Sequence, residues 1–165
     1  TGDHAVTLMA ERHGLTFSKP LQSDSCSLYP LIEPLLIENP SAIHVLRDPT
    51  RGGVGTTLNE IAHQSGAAIE IEEARLPIRA EVGATADLLG LDPLYLANEG
   101  KAIIICAPEF EDQALTLLRT HPLGENSARI GTVIPSQRPY VEMKTTLGGR
   151  RLVDWLSGEL LPRIC

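Results

Sequence analysis

The chain has 165 residues, of which 42% are hydrophobic and 21% are charged, and this composition is ordinary for one globular domain. The net charge is −7 and the 14 Lys and Arg residues are dispersed, which excludes nucleic acid as the main partner. No apolar run approaches the ~18 residues that a membrane-spanning helix needs, so a membrane-spanning helix is excluded as well.

Hydrophobic periodicity and turn residues predict a mixture of helices and strands. Helices are expected at residues 5–13, 28–38, from 54 onward, at 80–89 and at 109–120. Strands are expected at residues 43–46, 67–72, 101–107, 128–134 and 140–145, and a short one after the turn at 147–150. The last three strands are predicted to form a small antiparallel meander. Because the order lacks strict βαβ alternation, the expected fold class is α+β, a layered domain with helices packed on a mixed, largely antiparallel sheet.

No linker or internal repeat divides the chain. We therefore assign residues 1–154 to one domain and residues 155–165 to a flexible C-terminal tail. Trp155 is expected to anchor in the core. Gly158 and Pro162 discourage a helix from continuing to the terminus.

The most informative segment is Arg47–Gly55 (RDPTRGGVG), between a predicted strand and a predicted helix. Glycines let the backbone approach a ligand closely, and the unpaired N–H groups at a helix start favour an anion. Asp48 could hold a phosphate-bridging Mg²⁺, and Arg51 could meet phosphate directly. The pattern is neither a Walker A loop nor GxGxxG. From the residues alone, a plain strand-to-helix turn is the alternative.

Three segments together resemble a known family. Arg47–Gly55 with Leu58–Glu60 (LNE) resembles the signature of the hydrogenase-maturation carbamoyl dehydratases, the HypE family. These belong to the aminoimidazole-ribonucleotide-synthetase superfamily, with selenophosphate synthetase and thiamine-monophosphate kinase. Thr1–His4 (TGDH) resembles the segment that opens the C-terminal half of this family, and Asn98–Lys101 (NEGK) resembles a further motif. The resemblance covers essentially the whole chain and implies the fold of the superfamily's C-terminal domain.

The resemblance also implies a site for ATP and Mg²⁺. The residues expected to line the phosphate side are Asp48, Arg51, Gly52, Gly53 and Asn59, with Asp48 as the metal ligand. Asp3 and His4 are expected to border the nucleotide, although Asp3 could instead cap the first helix. Glu99 is the candidate general base. The alternative is that it acts only as a capping residue or pairs with Lys101.

The chain ends in Pro162–Cys165 (PRIC). Sulfur is both a good nucleophile and a good leaving group, and an arm of the ten residues after Trp155 could extend ~33 Å. On position alone, an incidental surface thiol is the simpler interpretation. Combined with the glycine loop, the resemblance makes Cys165 the carrier on which a carbamoyl group is dehydrated to a cyano group.

The implied function is ATP-dependent conversion of S-carbamoylcysteine to S-cyanocysteine, which supplies the cyanide ligand of the NiFe-hydrogenase iron centre. The implied partners are a carbamoyltransferase maturation protein and an iron-scaffold maturation complex. The family's N-terminal domain supplies the dimer interface and most metal-binding aspartates. This chain does not contain that domain, so it is expected to be inactive alone and the full protein to be a homodimer. The alternatives are another superfamily synthetase, making selenophosphate or aminoimidazole ribonucleotide, and a non-catalytic docking domain for maturation partners.

The number and spacing of the cysteines indicate the redox conditions in which the protein is expected to work. Cys26, Cys106 and Cys165 are too widely spaced to suggest a disulfide framework or a CxxC metal site. Cys106 is expected to be a buried strand residue. The chain begins at Thr1 without the features of a signal peptide, and the missing methionine suggests that residues have been removed. A reducing cytoplasm is the expected location.

Overall fold

The computed structural model describes residues 1–12, 14 and 21–156 of the chain. Within that part the α-helices are α1 (Asp3–Arg12), α2 (Tyr29–Glu38), α3 (Gly53–Ser65), α4 (Ala80–Leu89) and α5 (Glu111–Arg119). The strands are β1 (Ile43–Arg47), β2 (Ala68–Glu72), β3 (Ile103–Cys106), β4 (Gly131–Ile134), β5 (Tyr140–Lys144) and β6 (Arg150–Leu152). Each predicted helix and strand is present. No helix in this part of the chain is long and apolar enough to cross a membrane.

The strands form two sheets. β1 pairs with β3 in an antiparallel ribbon, and the second sheet has the order β4-β2-β5-β6. In the second sheet β2 runs antiparallel to β4 and parallel to β5, while β5 and β6 are antiparallel. Helices cover these sheets, which confirms the α+β class and the mixed, largely antiparallel pairing.

The predicted meander of the last three strands is wrong in one connection. β5 and β6 form the expected hairpin, but β2 lies between β4 and β5. Ile69 and Ile71 of β2 are 3% and 1% exposed, so this strand is central and needs a partner on each side. The connection over residues 135–139 only has to cross one strand, about 10 Å, which five residues can span.

The main core lies between α3 and the four-stranded sheet. The predicted apolar stripe of α3 is confirmed, since Val54, Leu58 and Ile61 are buried in one cluster with Ile71 and Met143 of the sheet. Two smaller clusters surround it. One joins α2 and α5 over the two-stranded sheet, and the other joins α1 to α4. Because α3 carries the main core, its first turn is held firmly against the domain.

Trp155 does not lie in the core, which corrects the prediction. Its side chain is 45% exposed, and its indole N–H donates to His63 Nε2 at 3.3 Å with the ring centroids 5.3 Å apart. Val153 takes the core position and is 2% exposed. Residues 157–165, with Cys165, lie outside the described part, so the predicted tail stays a prediction.

Candidate functional site

The three segments singled out in the sequence meet at the side chain of Asn98, which is 1% exposed. The Asn98 amide nitrogen donates to the carbonyl oxygens of Pro49 at 3.2 Å and Leu96 at 3.0 Å. Its Oδ1 accepts from the Gly2 N–H at 2.7 Å and the Thr1 hydroxyl at 3.2 Å. One buried asparagine therefore joins the first residues of the chain, the glycine loop and the NEGK segment. The sequence indicated the motif but not this role, because burial of a polar residue leaves no local signal.

The glycine loop opens helix α3 with two left-handed residues. Gly52 and Gly53 have φ values of 69° and 61°, a conformation that favours glycine. A Cβ on Gly53 would lie 2.5 Å from the Leu94 carbonyl oxygen and 2.6 Å from that of Leu96. A Cβ on Gly52 would lie 2.2 Å from Thr56 Oγ1. The helix start therefore packs directly on neighbouring backbone, so part of the glycine pattern has a purely geometric cause.

Thr56 Oγ1 is an unusual atom of the first turn of α3. It is buried, and it has no hydrogen-bond partner among the residues that the structure describes. The Thr56 N–H donates to the Gly52 carbonyl oxygen at 3.2 Å, which closes the first helical turn. A buried hydroxyl without a partner costs free energy, so the fold tolerates a local cost at the start of this helix.

Asp48 and Arg51 flank the helix start and are both exposed. Helix N–H groups, a guanidinium and a carboxylate form a donor set that fits phosphate and a phosphate-bound Mg²⁺. No group of three or more His, Cys, Asp or Glu residues in the described ranges could hold a metal ion. A metal at Asp48 would therefore need phosphate oxygens and water to complete its shell.

Asn59 does not face the phosphate side, contrary to the sequence-based expectation. Its side chain is 4% exposed, and the amide nitrogen donates to the Gly55 carbonyl oxygen at 2.9 Å and to that of Val153 at 2.7 Å. Both amide hydrogens are thus used inside the fold. Asn59 thus attaches segment 153–155 to α3. It does not face the phosphate side because it lies on the buried face of the helix.

Asp3 and His4 are already engaged by neighbouring side chains. Asp3 begins α1, and its buried carboxylate meets Lys101 Nζ at 2.9 Å and Arg79 Nε at 2.5 Å. Burial by itself raises the pKa of Asp3, but the ammonium of Lys101 and the other nearby positive charges hold the pKa below its ordinary value. His4 Nδ1 lies 2.8 Å from Ser23 Oγ. Asp3 therefore sits in an ion-pair network at the edge of the site instead of capping the helix.

Glu99 is exposed, and its carboxylate has no partner among the described residues. The alternative in which Glu99 pairs with Lys101 is not what the structure shows, since Lys101 Nζ contacts Asp3 and Asp24. The Glu99 N–H donates to Asp24 Oδ1 at 3.2 Å. Sequence reasoning missed Asp24, because one acidic residue in a polar segment carries no distinguishing pattern.

Residues 153–155, near the end of the described part, pack along α3 and Tyr95. The Tyr95 hydroxyl donates to the Asp154 carbonyl oxygen at 2.8 Å, and the Tyr95 ring would lie 2.8 Å from a Cβ on Gly55. Segment 153–155 therefore runs along α3, held by Asn59, Tyr95 and His63. Between Val153 and Trp155 the described contacts thus pass from Asn59, in the middle of α3, to His63 in its last turn.

Comparison with known proteins decides the family. A protein-family model described as "AIR synthase related protein, C-terminal domain" matches residues 1–144. The chain belongs to this family. The matched range includes α1, the glycine loop and the NEGK segment of this chain.

Individual relatives narrow the similarity to particular proteins within this family. The chain is 51% identical over 164 residues to "Carbamoyl dehydratase HypE" of Cupriavidus necator, covering 99% of this chain and 46% of that protein. A solved structure of "Hydrogenase Maturation Protein HypE in complex with ATP" matches with a TM-score of 0.93 at 49% identity, covering 99% of this chain and 50% of that one. A "HypE-HypF complex" structure matches with a TM-score of 0.87 at 40% identity, covering 93% of this chain and 50% of that one. The chain thus spans about half the length of the relatives it matches.

Proposed function

We propose that this chain is the catalytic C-terminal half of an ATP-dependent carbamoyl dehydratase of hydrogenase maturation. Its product is S-cyanocysteine at Cys165, the source of the cyanide ligand of the NiFe-hydrogenase iron centre. The observation that carries the proposal is the meeting of the TGDH, glycine-loop and NEGK segments at the buried side chain of Asn98. A relative of 51% identity named carbamoyl dehydratase, and a hydrogenase maturation protein of 49% identity solved in complex with ATP, support the same conclusion.

The chemical difficulty lies in the leaving group. Dehydration of S–C(O)–NH₂ has to expel the carbonyl oxygen, and hydroxide leaves poorly. Transfer of the γ-phosphoryl group of ATP to that oxygen, with loss of one N–H proton, converts it into a phosphate ester. Loss of the second N–H proton with departure of phosphate leaves S–C≡N, and ADP and phosphate are the other products. Such phosphoryl transfer depends on positioning and charge neutralisation.

Each residue of the proposed site has one task. The start of α3 at Gly52 and Gly53, with Arg51, binds phosphate oxygens, and Asp48 is the ligand for Mg²⁺. The metal neutralises phosphate charge when it is bound. Glu99 accepts the N–H protons, because its carboxylate is exposed and without a described partner. Asp3 and His4 shape the nucleotide side indirectly, through the ion-pair network and the contact with Ser23.

The proposed partners follow from the same chemistry. A carbamoyltransferase has to load Cys165, and a relative solved as a HypE-HypF complex supports such an encounter. An iron-scaffold complex has to accept the cyano group. We further propose that the full protein works in the cytoplasm as a homodimer and needs its remaining half for turnover, since this chain spans about half of its relatives.

The decisive experiment is intact-protein and peptide mass spectrometry of the full-length protein with a carbamoyl donor, the carbamoyltransferase and ATP. The carbamoyl group and then the cyano group should map to Cys165. Cys165→Ala should abolish both adducts and keep ATP binding. Cys26→Ala is the matched control, since it removes an exposed thiol elsewhere in the chain and should leave the adducts in place.

Binding measurements separate the proposal from its alternatives. Calorimetry with ATP and Mg²⁺ should give an affinity that Asp48→Asn lowers about tenfold or more. Asp112→Asn, an exposed carboxylate on α5, should leave that affinity unchanged. Partner binding without nucleotide binding would instead identify a docking domain. Synthesis of selenophosphate or of an aminoimidazole nucleotide that survives removal of Cys165 would identify a different superfamily enzyme.

A further inference from the structure

Asp24 lies in residues 21–28, which precede α2 without regular secondary structure, and its carboxylate holds the NEGK segment. Asp24 Oδ1 accepts the Glu99 N–H at 3.2 Å, and Oδ2 accepts the Gly100 N–H at 3.2 Å. The Lys101 ammonium lies 2.7 Å from Oδ2. Three consecutive residues thus donate to one carboxylate, whose side chain is only 6% exposed.

The two segments are also in direct backbone contact. A Cβ on Gly100 would lie 1.6 Å from the Asp24 carbonyl oxygen and 2.8 Å from Cys26 Sγ. Only glycine at this position lets the Asp24 segment close on the NEGK segment. Burial alone raises the pKa of Asp24, but the Lys101 ammonium and the two backbone N–H groups hold it below its ordinary value, so the carboxylate stays charged at neutral pH.

This contact bears directly on Glu99. The Glu99 carboxylate has no described partner that would orient it, so its direction depends on its backbone. Among the described residues, the acceptor of the Glu99 backbone N–H is Asp24 Oδ1. A proton acceptor works only when it is held within reach of the proton, and a misplacement of about 1 Å can lower the rate about a hundredfold.

We propose that Asp24 is a positioning residue for the dehydration step, holding Glu99 in place through its hydrogen bonds to the Glu99 and Gly100 N–H groups. The inference rests on the proposed function, in which Glu99 accepts the carbamoyl protons. A merely structural Asp24 would support the fold but would not affect the chemical step of protein that has folded.

The test uses the full-length protein with the carbamoyltransferase and ATP, and compares kcat with KM for ATP. Asp24→Asn removes the charge and weakens the contact with all three donors. It should lower kcat about ten- to a hundredfold and change KM for ATP less than about twofold. Arg129→Gln is the control, because it removes a part-exposed ion pair, that with Glu111 at 3.4 Å, outside the proposed site and without touching the NEGK backbone. Its kcat should stay unchanged.

A double-mutant cycle with Glu99→Gln tests whether the loss of kcat in Asp24→Asn depends on Glu99. If Asp24 acts through Glu99, adding Asp24→Asn to Glu99→Gln should lower kcat little further. Additive losses, an effect confined to KM, or an unchanged kcat with a lowered melting temperature would overturn the positioning role. If Glu99→Gln is fully active, the base assignment fails and the role of Asp24 fails with it. The Cys165 adduct would still stand, so that failure is distinguishable from failure of the proposed function.

Poor folding of Asp24→Asn would not leave the proposal untested. Asp24→Ser keeps a small acceptor without a charge and should show a kcat loss in the same direction. Hydrogen exchange gives an independent readout, since the Glu99 and Gly100 amides should exchange faster in either variant and not in Arg129→Gln. Unchanged exchange at both amides would show that Asp24 does not hold this segment.

Discussion

Replacement of Gly53 by alanine should destabilise the protein strongly, for two separable reasons. Gly53 has a φ of 61°, and forcing a Cβ into the left-handed region costs about 1–2 kcal/mol. The new methyl group would also lie 2.5 and 2.6 Å from the Leu94 and Leu96 carbonyl oxygens. Backbone cannot move aside as a side chain can, so the start of α3 has to shift, at a further cost of about 1–3 kcal/mol. The total is about 2–5 kcal/mol, or about 4–20 °C in melting temperature for a domain of this size.

Gly66→Ala provides the matched control for this prediction. Gly66 ends the same helix with a φ of 70°, and a Cβ there would meet nothing within 4 Å. It should therefore show the backbone strain alone, about 1–2 kcal/mol. Thermal and urea unfolding of the two variants give the comparison. Equal losses of stability would refute the conclusion that the helix start is crowded against the 94–96 backbone.

Further predictions concern the buried polar groups. Asn98→Ala should cost about 2–4 kcal/mol in urea unfolding, because it removes the buried side-chain hydrogen bonds to the Gly2 N–H and to the Pro49 and Leu96 carbonyl oxygens. Thr56→Val should be neutral or stabilise by up to ~1 kcal/mol, since the lost hydroxyl has no described partner; clear destabilisation would mean that it has one. Asp3 and Asp24 have lowered pKa values, so their stabilisation is complete above the ordinary pKa near 4 and is lost as the pH falls through the lowered values. Urea unfolding of the Asp3→Asn, Asp24→Asn double variant should accordingly show a weaker loss of stability on acidification than the wild type.

The local structure of this domain could be predicted from its sequence because it depends on neighbours along the chain. The stripe of Val54, Leu58 and Ile61 recurs at helical spacing, and it defines both the helix and its buried face. The glycines before that stripe define where the helix starts. The TGDH, glycine-loop and NEGK segments pointed to the family, and the family match over residues 1–144 agrees.

Tertiary structure alone decided which distant groups meet. Alternation in β2 predicts a strand, but its position between β4 and β5 depends on where its two buried isoleucines pack. Asn59 belongs to a recognisable motif, yet its amide is used by Val153, 94 residues away. Asp24 and Lys101 are 77 residues apart, and nothing local marks either as the other's partner. Periodicity specifies which face of an element is buried, whereas the partner of a buried polar group is set only when the elements have packed.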